Sequence, residues 1–338
     1  MRIGIFGAGA IGSYLGVRLS AAGAPVTLIA RQALVEQRSS LRAVDLDGVA
    51  CTPAPDLQIT ADPASLAEVD LCLLTVKSQD SAAAAPVLAS SLRPGTPVLC
   101  FQNGIDNAAR LREAGLDRPV IDGIVTFNVV REAPATFRQA TSGPVYTGTL
   151  DPLPSPLQAL AGAFSRTSIP FALRPDIAAV AAGKLLINLG NGLSAVTGLP
   201  TAQTLLSRPF RLCYADIIHE GLRAFAAAGR PVAPPDRVPL SLIARLLRLP
   251  TPLFSFIARS MVRVDPTARS STLQDLDRGH PTEIDLLNGA IVSLAEAHGQ
   301  KAPLNRWIVN TVHDLERAAQ PLPHLSPEQV RAAFLTLA

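Results

Sequence analysis

The first half of the chain alternates short apolar runs with segments in which apolar residues recur at helical spacing. The apolar runs predict strands at 2–7, 25–30, 69–76, 97–101 and 119–121, and the helical segments fall at 12–22, 79–91 and 105–114. Extended runs at 124–130, 136–140 and 144–148 predict hairpins at a sheet edge, and the Pro-rich stretch 151–156 opens a helix before a last strand at 169–173. This alternation is typical of a doubly wound, mostly parallel α/β sheet.

From residue 176 onward the pattern changes, and nearly every segment has helical periodicity. Helices are predicted from Asp176 to about Leu189, from Pro209 to Ala228, and over 284–298 and 304–317. We therefore expect an α/β domain over 1–175 and an all-helical domain over 176–338. Two such domains leave a cleft between them, where we expect the active site.

The segment 231–267 is rich in proline and arginine among apolar residues. Arg245, Arg248, Arg259 and Arg263 stand among its Leu, Ile and Phe residues. The pattern favours a pair of amphipathic helices packed on the helical domain, with a lid or a membrane-surface helix as the alternatives.

Composition narrows the class of protein. The chain has 338 residues, 48% of them hydrophobic, and a formal net charge of +3, which is an ordinary globular composition. No run of five basic residues occurs, so nucleic acid is not an expected partner. The four cysteines are widely spaced and form no CxxC, so we expect reduced residues in a cytoplasmic protein and no metal site: Cys51, Cys72, Cys100 and Cys213.

Two apolar stretches, one at the N-terminus and one over 177–199, resemble an export signal and a membrane span, and we interpret neither as such. The N-terminal stretch is explained better by the glycine motif described next, and no cleavage site follows it. The run 177–199 carries Lys184, Asn188 and Asn191 near its middle, where a bilayer span rarely places polar groups. We expect no membrane partner.

A glycine motif separates the first strand from the first helix. Gly7 permits a tight turn, Gly9 allows a diphosphate to approach the backbone, and Gly12 lets helix and strand pack closely. Free N–H groups and the dipole at the helix start would hold the anion. In this strand–turn–helix context the motif predicts dinucleotide binding by the residues Gly7, Ala8, Gly9, Ala10, Ile11 and Gly12.

Arg31 indicates which dinucleotide is bound. Chains that bind NAD usually place an acid about 20 residues beyond the turn, where it accepts a hydrogen bond from the ribose 2′-hydroxyl. Here the second strand ends at Arg31, with Gln32 next and no acid nearby. A guanidinium suits a 2′-phosphate, so NADPH is the expected cofactor, although a merely solvated arginine is the alternative.

Lys184, Asn188 and Asn191 form the densest polar group in the second half. If the helix continues through them, all three project from one face while the leucines between them project elsewhere. This arrangement favours a site. The alternative is a lysine whose charged end reaches solvent, with two amides that cap the end of the helix.

The run from Ser270 to Asn288 is the second polar group. Thr282 followed by Asp285 resembles a capping box, which leaves Glu283 in the first turn of a helix. A carboxylate there is able to orient a lysine or a substrate hydroxyl, and a simple helix cap is the equal alternative.

Two further candidates follow predicted strands of the first domain. Lys77 comes after the strand 69–76, and Asn103 comes after 97–101. Ligands of open α/β sheets bind at the carboxyl ends of the strands, so we expect both side chains near the cleft. The alternative for each is an ordinary turn residue, especially for Asn103 before Gly104.

Together these motifs resemble the ketopantoate reductase family, the NADPH-dependent 2-dehydropantoate 2-reductases, from Met1 to about Glu316. The shared motifs are Gly7–Gly12, Arg31, Val76-Lys77, Gln102-Asn103-Gly104, Lys184 with Asn188, Ser270-Ser271, Gln274-Asp275, Thr282-Glu283-Ile284-Asp285, Asn288-Gly289, Ala297-His298-Gly299 and Pro303 with Asn305. The resemblance implies an N-terminal Rossmann-type domain and a helical C-terminal domain.

The resemblance also implies roles for individual residues. Lys184 would be the general acid that protonates the keto oxygen, and Glu283 would hold the lysine and the nascent hydroxyl and also touch the cofactor. The substrate would be bound by Asn103, Asn188, Asn191 and Ser271. Lys77 and Asn103 would contact the NADPH or NADP⁺.

Two departures from the family pattern concern the substrate. Family members place the second asparagine four residues after the first, whereas Asn191 comes three after Asn188 and Gly192 stands at the usual position. The stretch 231–267 is also longer than expected. Both concern the part of the pattern that binds the substrate and leave the reaction type intact.

The expected activity is reduction of ketopantoate to pantoate, a step toward pantothenate. One alternative is a relative of the same family acting on another 2-keto or 2-hydroxy acid, and another is a non-catalytic NADP-binding sensor. The expected partner is a small-molecule 2-keto acid, and a homodimer is left open.

Overall fold

The computed structural model describes residues 1–150, 155–236, 238–261, 269–318 and 322–337. The chain divides into two compact units, Met1–Ala178 and Ala179–Ala338. The first unit is α/β and the second is helical, which confirms the predicted fold class.

The first unit is built on short strands joined by helices and loops. Its elements are β1 (Ile3–Phe6), α1 (Ala10–Ala21), β2 (Val26–Ile29), α2 (Gln32–Val35), β3 (Arg42–Val44), β4 (Ala50–Cys51), β5 (Gln58–Thr60), β6 (Leu71–Leu74), α3 (Ser81–Ser91), β7 (Val98–Cys100), α4 (Asn107–Glu113), β8 (Val120–Val125), β9 (Val129–Ala133), β10 (Thr136–Gln139), β11 (Val145–Thr147), α5 (Ser155–Phe164) and β12 (Phe171–Leu173).

Eight of these strands form one sheet in the order β12-β11-β8-β7-β6-β1-β2-β5. Adjacent strands are parallel except β8 and β11, which pair antiparallel. Alternate residues of β6 enter different cores, with Leu71 and Leu73 on one face and Cys72 and Leu74 on the other. Burial on both faces explains why the central strands are continuous apolar runs.

The predicted hairpins at the sheet edge are only partly correct. β8 covers the predicted run 119–121 and the start of 124–130, and β9 begins at the end of the latter. Of the two predicted edge runs that follow, 136–140 and 144–148, only the second joins the main sheet, where it is β11 and pairs antiparallel with β8. β9 and β10 form a hairpin that belongs to a second sheet, in the order β4-β3-β10-β9. This sheet forms because β10 pairs in parallel with β3, a strand that the hydrophobic pattern does not indicate.

The second unit consists of helices. They are α6 (Ile177–Asn188), which starts just before the division, α7 (Gly190–Thr197), α8 (Thr201–Leu206), α9 (Arg208–Ala227), α10 (Leu240–Leu247), α11 (Thr251–Met261), α12 (Ser271–Asp277), α13 (Asn288–Ala297), α14 (Pro303–Arg317) and α15 (Pro327–Leu337).

Ile177–Thr197 is the one stretch, among the residues described, that is long and apolar enough to cross a membrane. Within its apolar window, 61% is buried inside the protein. Such burial is typical of a core helix, in agreement with the interpretation of 177–199.

Two amphipathic helices, α10 and α11, occupy the described part of the arginine-studded segment, as predicted. Ala244, Leu247 and Phe254 pack on the buried face of α9. Residues 237 and 262–267 of this segment, including Arg263, lie outside the described residues, as do 151–154 of the Pro-rich stretch.

A fully buried arginine on α9 connects these helices. The Arg211 guanidinium donates to the carbonyl oxygens of Leu205 at 2.9 Å and Leu249 at 3.0 Å, and it lies over the Phe254 ring with 4.3 Å to the centroid. Within the described chain no carboxylate pairs with it, so main-chain dipoles at the ends of α8 and α10 solvate the charge.

Candidate active site

Two glycines of the N-terminal motif are required by the protein itself. Gly7 has φ +111°, and a Cβ there would lie 2.7 Å from the backbone nitrogen of Val76. A Cβ on Gly12 would lie 2.1 Å from the Gly7 carbonyl oxygen, which also accepts a 2.6 Å hydrogen bond from Thr75 Oγ1. The turn therefore needs glycine for its conformation at Gly7 and for close packing at Gly12.

Gly9 is different, because nothing in the described protein requires it. Its φ of −72° suits any residue, and the nearest atom to an added Cβ is the Thr75 carbonyl oxygen at 4.0 Å. No side chain caps the first turn of α1. An open glycine beside uncapped N–H groups fits a diphosphate that approaches the backbone closely, so the residues present suit a dinucleotide.

Arg31 lies two residues beyond the end of β2, where the N-cap of α2 stands. It is exposed, and its side chain makes no hydrogen bond or ion pair within the described chain. Gln32 is engaged with Glu36 at 3.3 Å. The guanidinium is therefore able to meet a ligand phosphate without first giving up a partner.

The loops after β1, β6 and β7 start at the same edge of the main sheet. Phe6 pairs with Leu74 and Leu74 with Cys100, so the three strands end in register. Lys77 and Asn103 lie three residues beyond the ends of β6 and β7. The structure thus places both predicted residues at the edge where the glycine turn begins.

Hydrogen bonds join the loops that carry Lys77 and Asn103. The Ser78 hydroxyl donates to the Asn103 carbonyl oxygen at 2.6 Å, and the Gln102 amide donates to the Lys77 carbonyl oxygen at 3.2 Å. Ser78 and Gln102 are both buried. They fix the backbone that presents Lys77 and Asn103, a role that the residue pattern alone did not indicate.

Lys184 lies on α6, and the residue as a whole is partly exposed while its ammonium end is buried among protein atoms. Removal of its ammonium from water lowers the pKa of Lys184 from 10.5 to about 8, and the negative charge of Glu283 opposes this by raising that pKa. Glu283 is only 7% exposed. The structure therefore brings the two predicted catalytic residues into electrostatic contact and gives the lysine a pKa suited to proton transfer near neutral pH.

The polar groups after Lys184 lie on either side of a helix junction. Asn188 is the last residue of α6, one turn beyond Lys184, and Asn191 lies in the first turn of α7. The Asn191 amide donates to the Ser271 hydroxyl at 3.5 Å, and the Ser270 hydroxyl donates to the Asn191 carbonyl oxygen at 3.4 Å. The predicted substrate residues Asn191 and Ser271 are thus brought together.

Gly192 gives the physical reason for the shifted asparagine. It is buried, and a Cβ there would lie 2.6 Å from both Asn288 Oδ1 and Ile308 Cγ2. Any side chain at position 192 would enter the core. Asn191, which is partly exposed, is instead the residue of this turn whose side chain has room outside the core.

The predicted capping box at Thr282 does not form. The Thr282 N–H donates to Glu316 Oε1 at 2.8 Å, and the exposed Asp285 carboxylate meets His313 Nε2 at 3.1 Å. Glu283 therefore stands beside an irregular turn rather than inside a capped helix, and its side chain is buried. The site interpretation of Glu283 is favoured over the helix-cap alternative.

No cluster of His, Cys, Asp or Glu suited to a metal ion occurs among the described residues. The four cysteines are free, and Cys72, Cys100 and Cys213 are buried while Cys51 is half-buried. The predicted site residues of the described chain are an amine, a carboxylate, amides and a hydroxyl.

Two family models match the chain. The model described as "Ketopantoate reductase PanE/ApbA" matches residues 3–152, and the one described as "Ketopantoate reductase PanE/ApbA C terminal" matches residues 176–316. Among curated proteins, the 2-dehydropantoate 2-reductase of Halobacterium salinarum is 30% identical over 95% of this chain and 99% of its own length. The Archaeoglobus fulgidus protein of the same name is 29% identical, over 93% of this chain and 98% of its own.

Solved structures agree with these matches. A PanE/ApbA family ketopantoate reductase from Ralstonia eutropha JMP134 superposes with a TM-score of 0.79 at 30% identity, over 94% of this chain and 99% of that one. D-mandelate dehydrogenase, solved with NADH and anilino(oxo)acetate, has a TM-score of 0.76 at 21% identity, over 94% and 99% of the two chains. The latter likeness is one of fold.

Proposed function

Because the chain belongs to the ketopantoate reductase family of oxidoreductases, we propose that it reduces 2-dehydropantoate to pantoate with NADPH, a step toward pantothenate. Relatives that span nearly the whole chain carry the name 2-dehydropantoate 2-reductase, which supports ketopantoate as the substrate.

Lys184 carries the proposal. Reduction of a keto group builds negative charge on its oxygen, and a positioned ammonium both stabilises that charge and supplies the proton. With a pKa of about 8, Lys184 is protonated at neutral pH and still releases its proton readily. Glu283 keeps it in that state, because a nearby negative charge favours the ammonium.

The remaining polar residues of the helical unit would bind the substrate. We assign Asn188 and Asn191 to the keto acid through their amides, and Ser271 to its carboxylate. Asn103 would contribute from the sheet edge of the first unit. These groups are neutral, so they are able to bind an anionic substrate without lowering the pKa of the lysine beside them, as a second cation would.

Most cofactor contacts would come from the first unit, and Glu283 of the second unit would add one. The residues Gly7, Ala8, Gly9, Ala10, Ile11 and Gly12 would bind the diphosphate, Arg31 the 2′-phosphate, and Lys77, Asn103 and Glu283 the nicotinamide half. When bound, the reduced nicotinamide supplies the hydride. The preference for NADPH over NADH rests on the unengaged guanidinium of Arg31 and on the lack of an acid at the end of β2.

A rival substrate is another 2-keto acid, branched or aromatic. The observation that favours this rival is the asparagine at position 191 instead of 192, because this shift changes a predicted substrate contact. The test is NADPH consumption at neutral pH with ketopantoate and a panel of other 2-keto acids. Fast turnover of ketopantoate that collapses in Lys184→Ala supports the proposal, whereas turnover confined to another acid assigns the protein to the rival substrate.

A non-catalytic NADP-binding protein is the remaining alternative. It predicts tight NADPH binding with no turnover of any acid in the panel. It also predicts that Lys184→Ala leaves cellular function unchanged while NADPH still binds.

A further inference from the structure

The helix that carries the predicted substrate amides tightens between them. α6 ends at Asn188 and α7 begins at Gly190, with Leu189 between them in helical conformation at φ −57° and ψ −29°. The Gly192 N–H donates to the Leu189 carbonyl oxygen at 3.2 Å, three residues back rather than four. Such a turn changes the direction of the side chains that follow it.

Tyr214 of α9 binds one carbonyl of this turn. Its hydroxyl donates to the Ile187 carbonyl oxygen at 2.5 Å. Its ring packs on Gly190, where an added Cβ would lie 3.0 Å from Tyr214 Cζ. Burial raises the pKa of Tyr214 well above its usual value, so the hydroxyl stays protonated and remains a donor.

Asn288, the first residue of α13, binds a second carbonyl of this turn, that of Leu189. Its Nδ2 lies 3.5 Å from the Leu189 carbonyl oxygen and donates to Asn305 Oδ1 at 3.0 Å. Its Oδ1 packs against Gly192. Asn288 is fully buried, so its position is fixed by this packing.

Asn305 is itself held by a buried carboxylate. Glu220 Oε2 accepts hydrogen bonds from the Asn305 backbone N–H at 3.0 Å and from its side-chain Nδ2 at 2.8 Å. Glu220 Oε1 accepts from the Leu304 N–H at 3.0 Å. The amide of Asn288 is therefore the end of a buried network that starts at the N-terminus of α14.

We propose that Tyr214 and Asn288 are positioning residues for the keto-acid reduction. By binding two carbonyls of the tightened turn, they set the direction in which Asn188 and Asn191 project. Neither side chain needs to touch substrate, and the inference rests on the proposed function. It also explains why both neighbours of Asn191 are glycines, since each lies against one of the two positioning residues.

Tyr214→Phe is the sharpest test, because it keeps the ring on Gly190 and removes only the hydroxyl. Thr197→Val is the matched control: the Thr197 hydroxyl also donates to a carbonyl of α7, that of Leu193, at 2.9 Å, but away from the tightened turn. The measurements are KM and kcat for ketopantoate, KM for NADPH and the melting temperature of each variant.

The expected result is a separation of KM from kcat. In Tyr214→Phe the KM for ketopantoate rises roughly 3- to 10-fold, the usual effect of one lost hydrogen bond, because the substrate amides are misdirected. kcat changes less, since Lys184 precedes the turn, and KM for NADPH is unchanged. Asn288→Ala behaves in the same way, and Thr197→Val alters neither KM. An unchanged KM for ketopantoate in Tyr214→Phe, with a lowered melting temperature, overturns the proposal.

A second measurement does not depend on turnover. If the wild-type protein reduces no 2-keto acid, the proposed function fails, and crystal structures of wild type and Tyr214→Phe then decide the positioning role. The expected change is a lengthening of the 3.5 Å separation between Asn191 Nδ2 and Ser271 Oγ. An identical turn in both crystals overturns it.

Discussion

The pKa of Lys184 links the structure to a measurable pH dependence. Its fall from 10.5 to about 8 has burial as its cause, with Glu283 acting in the opposite direction. One pKa unit corresponds to about 1.4 kcal/mol, so holding the ammonium charged in the folded protein costs roughly 3 kcal/mol. A general acid must carry its proton, and kcat/KM for ketopantoate should therefore fall as pH rises through about 8.

Glu283→Gln tests the cause of this pKa. The variant removes the negative charge that raises the pKa of Lys184 while keeping a side chain of similar size. The alkaline limb of kcat/KM should therefore move to lower pH. Glu296→Gln removes an exposed carboxylate of the same helical unit and should leave the limb in place.

The assay is the initial rate of NADPH consumption at limiting ketopantoate, measured from about pH 6 to about pH 10. A wild-type limb near the ordinary lysine pKa of 10.5 would refute the reasoning, as would a limb that moves to higher pH in Glu283→Gln.

Stability provides a check that needs no turnover. Because the folded-state pKa of Lys184 lies below its unfolded value, the unfolded chain binds more protons between about pH 8 and 10.5. Wild type should therefore gain stability relative to Lys184→Met as pH rises through that window. Denaturant unfolding at several pH values measures this difference. A difference that stays constant across the window would contradict the lowered pKa.

Four further variants test other parts of the molecule. Arg31→Ala should raise KM for NADPH roughly 10-fold or more and leave KM for NADH nearly unchanged, and equal effects on both would exclude a 2′-phosphate contact. Gly9→Ala should weaken NADPH binding in a titration without lowering the melting temperature, whereas Gly12→Ala should destabilise the protein because its Cβ meets a carbonyl oxygen at 2.1 Å. Arg211→Ala should lower the free energy of unfolding by about 3 kcal/mol or more in urea, since several buried carbonyls lose their donor, and a loss below about 1 kcal/mol would contradict that role.

The spacing of apolar residues within short windows was sufficient to predict the central sheet and the long helices. β1, β6 and β7 are buried on both faces, so they are apolar throughout and easily recognised. β3 and β4 have only three and two residues, and β3 is partnered by β10 about ninety positions away along the chain. Such pairing is decided by tertiary contacts that no short window contains.

The helical unit shows a similar limit. The predicted helix 284–298 is a turn at Ile284–Leu286 followed by α13, because Leu287 at φ −106° and ψ −94° breaks the helical path. α12, with seven residues, is too short for its period to be recognised, and α8 and α15 were also not predicted. Lys184 and Glu283 were recognisable from residue type and resemblance. Tyr214 was not, since its place on amphipathic α9 is that of an ordinary core residue.

The solvation of Arg211 by main-chain oxygens has a consequence for how the helical unit opens. The carbonyls that surround the guanidinium belong to the ends of α8 and α10. If either helix detached alone, the guanidinium would lose hydrogen-bond acceptors while still lying among apolar side chains. Partial detachment is thereby penalised, and α8, α9 and α10 behave as one cooperative foldon. Their slowest amide protons then exchange with solvent at a common free energy, although the helices differ greatly in length.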